Sequence, residues 1–96
     1  MQGAEAAGLE RNGETLRFTG ALLRDQVAGA WRHALPLLVG ARRFDLTALT
    51  RVDSAGVALL AELAARAGSG LTIGGAPAGL AELRAAYRLQ PDLGFA

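Results

Sequence analysis

The chain contains no cysteine and no lysine. Without cysteine there is no disulfide, no thiolate nucleophile and no cysteine metal site. Without lysine there is neither the phosphate-cradling lysine of a P-loop nor a Schiff-base amine. All 10 basic residues are therefore arginines, a bias that fits a GC-rich genome better than a function. The single histidine, His33, cannot build a multi-histidine site. No apolar run reaches the ~20 residues of a membrane span, and nothing resembles a signal peptide. The chain is accordingly expected to be cytoplasmic, with no direct membrane insertion. The formal net charge is only +1. That provides no field to attract nucleic acid, which is not expected as a partner.

What the chain does have is apolar surface. Hydrophobic residues make up 51% and the mean hydropathy is +0.24, the composition of a core-forming chain. The 96 residues suffice for one domain, expected to span residues 1–96, with the small, polar residues 1–6 disordered. Alanine supplies much of the hydrophobicity and buries little area per residue. The core must therefore draw on Leu, Val, Ile, Phe and Trp31.

Turn chemistry and periodicity divide the chain. Leu9–Phe18 reads as a β-hairpin turning at Asn12-Gly13, with Leu16 and Phe18 on one face and Gly20 ending the second strand. From Leu22 to Leu35 the period becomes helical, with Leu23, Val27, Ala30, Trp31 and Ala34 in one stripe. A short strand follows at Arg43–Thr47. The next helix is predicted at Ala55–Ala67, with Val57, Leu59, Leu60, Leu63 and Ala64 inward and Glu62 and Arg66 outward. Gly68 and Gly70 stop it. Leu71–Ile73 is a strand, and Pro77 suits the start of a last helix over Ala78–Arg88, with Leu80, Leu83, Ala86 and Tyr87 apolar. A short tail ends in Phe95. The order β-β-α-β-α-β-α predicts a small mixed, partly parallel sheet packed by helices, an α/β fold.

The candidate site is Arg51-Val52-Asp53-Ser54-Ala55-Gly56, between a strand and an alanine-rich helix. A helix start offers unpaired N–H groups and the positive end of the macrodipole. Ser54 there can be a cap, a phosphate acceptor or a contact for a partner. Capping needs only one of Asp53 and Ser54, and the small Ala55-Gly56 pair leaves the helix start open to close approach. A hydrolase elbow finds only half its frame, because Val52 stands where G-x-S-x-G requires glycine, and His33, the one imidazole, lies in a helical setting with no sign of a base. Gly68-Ser69-Gly70 and Gly74-Gly75 do not form G-x-G-x-x-G and read as stop and turn chemistry. Arg42, Arg43 and Arg51 can attract an acidic partner or simply meet solvent. Trp31 fits core packing and also suits an interface anchor.

The stretch from Phe44 to Leu60 resembles the signature of the STAS domain family. That signature is an apolar strand ending in D-L-S/T, a loop with D-S/T-x-G, and an apolar helix. The element order agrees. Within the family, Arg51–Leu60 and the terminal Leu83–Leu89 followed by Pro91 are similar to the MlaB-like branch. These are small cytoplasmic subunits of the Mla-type phospholipid ABC transporter, which maintains outer-membrane lipid asymmetry in Gram-negative bacteria. The resemblance implies a non-catalytic STAS-like domain without cofactor. It would bind and support the MlaF-like ATPase subunit and lie peripheral to the inner membrane through that partner. It implies contact roles for Ser54, Asp53 and Arg51, with Ala55 and Gly56 of the same motif, and for Trp31 by its similar helix position. The alternative branch is the anti-sigma-factor antagonists, whose equivalent serine a partner kinase phosphorylates. That branch implies phosphorylation of Ser54. The Arg51-Val52 approach and the short stretch after the last helix favour the transporter branch. A nucleotide-binding STAS module has no phosphate loop or lysine to support it.

Overall fold

The computed structural model describes residues 7–68 and 70–89. The expected disorder of residues 1–6 and the tail ending in Phe95 lie outside them. Strands β1 (Gly8–Asn12) and β2 (Thr15–Leu22) form the hairpin that Asn12-Gly13 predicts, but its turn lies one residue later. Asn12 still pairs with Thr15, so Gly13-Glu14 is the two-residue loop. Only Gly13 of these takes a positive φ, 64°. That is the type II′ pattern with glycine first, not the I′ pattern with both central residues at positive φ.

Two expected boundaries move for one reason. Gly20 was predicted to end β2, and Thr47 to end the next strand; β2 runs to Leu22, and β3 spans Arg43–Val52. The two pair in parallel, and β3 holds one extra residue between Arg17↔Asp45 and Thr19↔Ala48. It holds another between Gly20↔Leu49 and Ala21↔Arg51. Each is a bulge. Burial in β3 therefore passes from Phe44 and Leu46, two apart, to Leu46, Leu49 and Val52, three apart. A search for period two stops at the first bulge. Side chains serve the disturbed ladder. The Thr47 N–H and hydroxyl both donate to Asp45 Oδ1, at 2.9 and 2.7 Å, and the Thr50 hydroxyl donates to the Gly20 carbonyl at 2.9 Å.

Strand β4 (Thr72–Gly74) pairs in parallel with β3 and completes a sheet of order β1-β2-β3-β4. Beyond β4 the chain rejoins β3 at Ala78, which donates to the Thr50 carbonyl and accepts from the Val52 N–H. The helical elements are a 3₁₀ turn at Arg24–Gln26, α1 (Val27–Ala34), a 3₁₀ turn at Leu35–Leu37, α2 (Ser54–Ala67) and α3 (Leu80–Ala86). The predicted helix over Leu22–Leu35 is thus shorter, because Leu22 still pairs with Val52 in the sheet. Two crossovers of one hand, in a sheet whose order follows the sequence, bring α1 and α2 to the same face, where they touch. Phe18 and Phe44 meet edge to face in that core, with ring centroids 5.4 Å apart. The inward residues predicted for α2 are all buried, and Glu62 and Arg66 are exposed. The opposite sheet face is polar, with Arg17 4.0 Å from Asp45.

Helix α3 is shorter than predicted, and Ala86 and Tyr87 are exposed. Pro77 precedes the helix rather than opening it; Gly79, at φ 93°, is the N-cap. The helix closes with a Schellman motif, the Arg88 N–H donating to the Ala85 carbonyl and the Leu89 N–H to the Arg84 carbonyl. The residue in the left-handed conformation is Arg88, at φ 55°, where glycine is usual. Arg88→Gly should therefore raise stability by about 0.5–1 kcal/mol, read as a higher urea midpoint at unchanged slope.

Candidate functional site

Asp53 builds the helix start. It follows β3 in an extended conformation and is the N-cap of α2, its Oδ1 accepting the Gly56 N–H at 2.9 Å. Its Oδ2 accepts the Arg24 backbone N–H at 2.9 Å, at the first residue of the 3₁₀ turn after β2. One carboxylate thus satisfies two donors and ties the ends of β2 and β3 together. Partial burial pushes the Asp53 pKa up. The N–H groups of Gly56, Arg24 and Ala55, which favour the ionised form, outweigh it and hold the carboxyl below its ordinary 3.8.

The neighbouring residues divide by direction. Gly56 is buried, and a Cβ there would collide with the Leu22 carbonyl oxygen. The Ala55-Gly56 pair was expected to leave the helix start open to another chain. Instead Gly56 lets α2 close on the end of β2, and Ala55, half-buried, is the member that reaches the outside. Ser54 is the first residue of α2 and is exposed. Among the described residues its hydroxyl has no hydrogen-bond partner, so of its three possible roles the capping role belongs to Asp53. Arg51 is exposed on β3, opposite Ala78 in the ladder.

Beside Ser54 lies a half-open groove of about 460 Å³ between α2 and the end of α3. Ala55, Val57, Ala58 and Ala61 line it from α2, and Tyr87 and Leu89 from the Schellman turn. Arg24 and Ser54 bring the polar groups. Sequence reasoning did not single out Arg24, Ala58, Ala61 or Leu89, and it gave Tyr87 only a packing role. The one available signal was the spacing of Ala55, Ala58 and Ala61 by three along a helix whose inward stripe was already assigned.

Trp31 is not part of this surface. It is half-buried against the core, and the Arg66 guanidinium lies 4.9 Å from its ring centroid. Arg66 in turn pairs with Glu62 at 3.4 Å. Arg66 follows Ser54 by twelve residues along α2, about 18 Å of helix rise. Ser54 and Trp31 therefore mark opposite ends of α2.

These roles separate by stability. In urea unfolding at neutral pH, Asp53→Ala should cost about 1–2 kcal/mol. Ser54→Ala should stay within about 0.5 kcal/mol of the wild type. Gly56→Ala should cost about 1–3 kcal/mol or more by overpacking. Because the folded Asp53 pKa is depressed, its stabilisation is complete above the ordinary 3.8 and fades as pH falls through the lower folded value. The stability gap between wild type and Asp53→Asn should accordingly narrow as the pH is taken below 3.8.

No helix among the described residues is long and apolar enough to cross a membrane. No curated protein sequence matches the chain. A family model described as the MlaB STAS domain matches residues 6–93. Domains of this family generally mediate protein–protein interactions and are generally not enzymes. The strand–loop–helix with its Asp53-Ser54 start, the mixed four-stranded sheet and a match over nearly the whole length agree, and the chain belongs to the STAS domain family, with its resemblance to the MlaB type.

Proposed function

We propose that this protein is a non-catalytic subunit that binds and supports the ATPase subunit of an Mla-type phospholipid ABC transporter, through the start of α2. In this reading it is cytoplasmic, peripheral to the inner membrane through its partner, and serves outer-membrane lipid asymmetry. One observation carries the reading. Ser54 is exposed at the first turn of α2, its hydroxyl unbonded among the described residues, beside an apolar groove, while Asp53 performs the capping. A side chain whose hydroxyl serves no other described residue, at the edge of an apolar groove, suits a contact residue. Ala55 and Arg51 flank it; Asp53 and Gly56 act by setting the position of the helix start. Trp31, at the other end of α2, would belong to a separate contact.

A second reading draws on the same hydroxyl. Exposure and the positive end of the helix dipole suit a phosphate, as in an anti-sigma-factor antagonist switched by its kinase at Ser54.

Ser54→Glu tests the first reading, because an acid at the first turn favours the helix and should leave thermal stability at or slightly above wild type. Co-purification with the ATPase subunit should be lost. A folded variant that still co-purifies as wild type overturns the docking surface. Incubation with the cognate anti-sigma kinase and ATP, followed by intact-mass measurement, should leave the wild type unmodified. A stoichiometric phosphate on Ser54 would favour the antagonist reading instead.

A further inference from the structure

The lining of the groove beside Ser54 restricts what can occupy it. Among the described residues, Val39 and Tyr87 are the large apolar side chains that are exposed, and Tyr87, 46% exposed, lines the groove. Opposite it, Ala58 and Ala61 are small enough to let a second backbone come close. The α2 wall is helical, with its backbone groups bonded along the helix, so on that side the groove offers no edge to which a strand could add. What fits is a helix laying an apolar face between α2 and Tyr87.

Charge specifies the occupant further. Arg24 is the charged residue of the lining. Its backbone N–H is held by Asp53 Oδ2, which anchors the main chain while the side chain stays exposed. Among the described residues no carboxylate lies within ion-pair distance of its guanidinium, and the Asp53 carboxylate is taken up by backbone N–H groups. The start of α2 adds the positive end of its dipole at the same place. An apolar floor beside a cation complements an apolar segment that carries an acid.

We infer that the groove receives an amphipathic helix of the partner, its apolar face against Tyr87 and Ala58 and an Asp or Glu side chain paired with Arg24. This rests on the proposed function, since the partner is the ATPase subunit; it adds the chemistry of the segment that docks. Arg24 sets the register of that helix and speeds encounter, and Tyr87 is its aromatic anchor.

Calorimetric titration of the full chain with the ATPase subunit, at about 50 and about 300 mM NaCl, tests the inference. Arg24→Glu should weaken binding about tenfold or more at low salt. Arg24→Gln should weaken it less and flatten the salt dependence. Tyr87→Ala should weaken binding at both salts. The Arg24 variants should melt with the wild type, because that side chain is exposed and its N–H is unaltered. Wild-type affinity in both Arg24 variants, with Ser54→Glu still abolishing binding, overturns this inference and leaves the proposed function standing. No binding by the wild-type chain removes both. Tighter binding by Phe95→Asp would assign the groove to residues 90–96 of this chain. A concentration-dependent dimer dissolved by Tyr87→Asp would assign it to a second copy. Either result overturns a partner helix with an acid as its occupant.

Discussion

The geometry of this domain at its functional end depends on one carboxylate with two backbone partners. Two parallel strands must each leave the sheet and begin a helical element at the same edge. Each start exposes N–H groups that no helix bond can satisfy. Asp53 takes one from each side, Gly56 in α2 and Arg24 in the turn after β2. Binding both with one ionised group is worth more than two separate neutral caps, because hydrogen bonds to a charged acceptor are roughly twice as strong. It also couples α2 to β2 directly, so the first turn of α2 has little freedom to tilt. Gly56 completes the constraint from below, since only a residue without Cβ allows α2 to approach the Leu22 carbonyl.

That same constraint decides which residues remain available for a partner. With Asp53 as the cap and Gly56 as the contact with β2, the outward positions of the first two turns are Ser54, Ala55 and Ala58. Among the described residues none of their side chains makes a hydrogen bond within the fold. The separation is clear for adjacent residues in one motif: Asp53 and Gly56 answer to stability, while the Ser54 and Ala58 side chains face outward. At the other end of α2, the Glu62–Arg66 pair and the Arg66–Trp31 stack are exposed interactions of modest worth, on the order of 0.5–1 kcal/mol each. They tie α1 to α2 without organising the site.

Much of the architecture was legible in the sequence because most elements follow a single period. The inward stripe of α2 was predicted apart from Gly56, and the mixed, partly parallel sheet followed from the hairpin and the alternation of strands with helices. The failures came where the period breaks. The bulges in β3 change its burial spacing from two to three, so Leu49 and Val52 did not read as strand, and neither did the paired end of β2 at Leu22. Gly20 and Asn12-Gly13 misled in a related way. Glycine signals a position that needs unusual dihedrals, but whether the chain turns or bulges there depends on the partner strand. The site was legible only in its sequence-contiguous part. Arg24 reaches it through a backbone bond across 29 positions, and Leu89 through a turn in which an arginine occupies a glycine position. Neither relation leaves a local pattern.

The strained turn at Arg88 joins these observations. A left-handed arginine costs roughly 1–2 kcal/mol relative to the right-handed form, yet the Schellman bonds from Arg88 and Leu89 hold it there. Their effect is to fold Leu89 back toward the core cluster and to set Tyr87 on the wall of the groove. A helix that ran on through Arg88 would carry these side chains out along its own axis, and the groove would lose one wall. The cost of the conformation at Arg88 therefore goes into shape. It maintains a concave apolar surface beside Ser54 that nothing in the packing of the sheet requires. Asp53 holds the near wall of that surface, and Arg88 the far one.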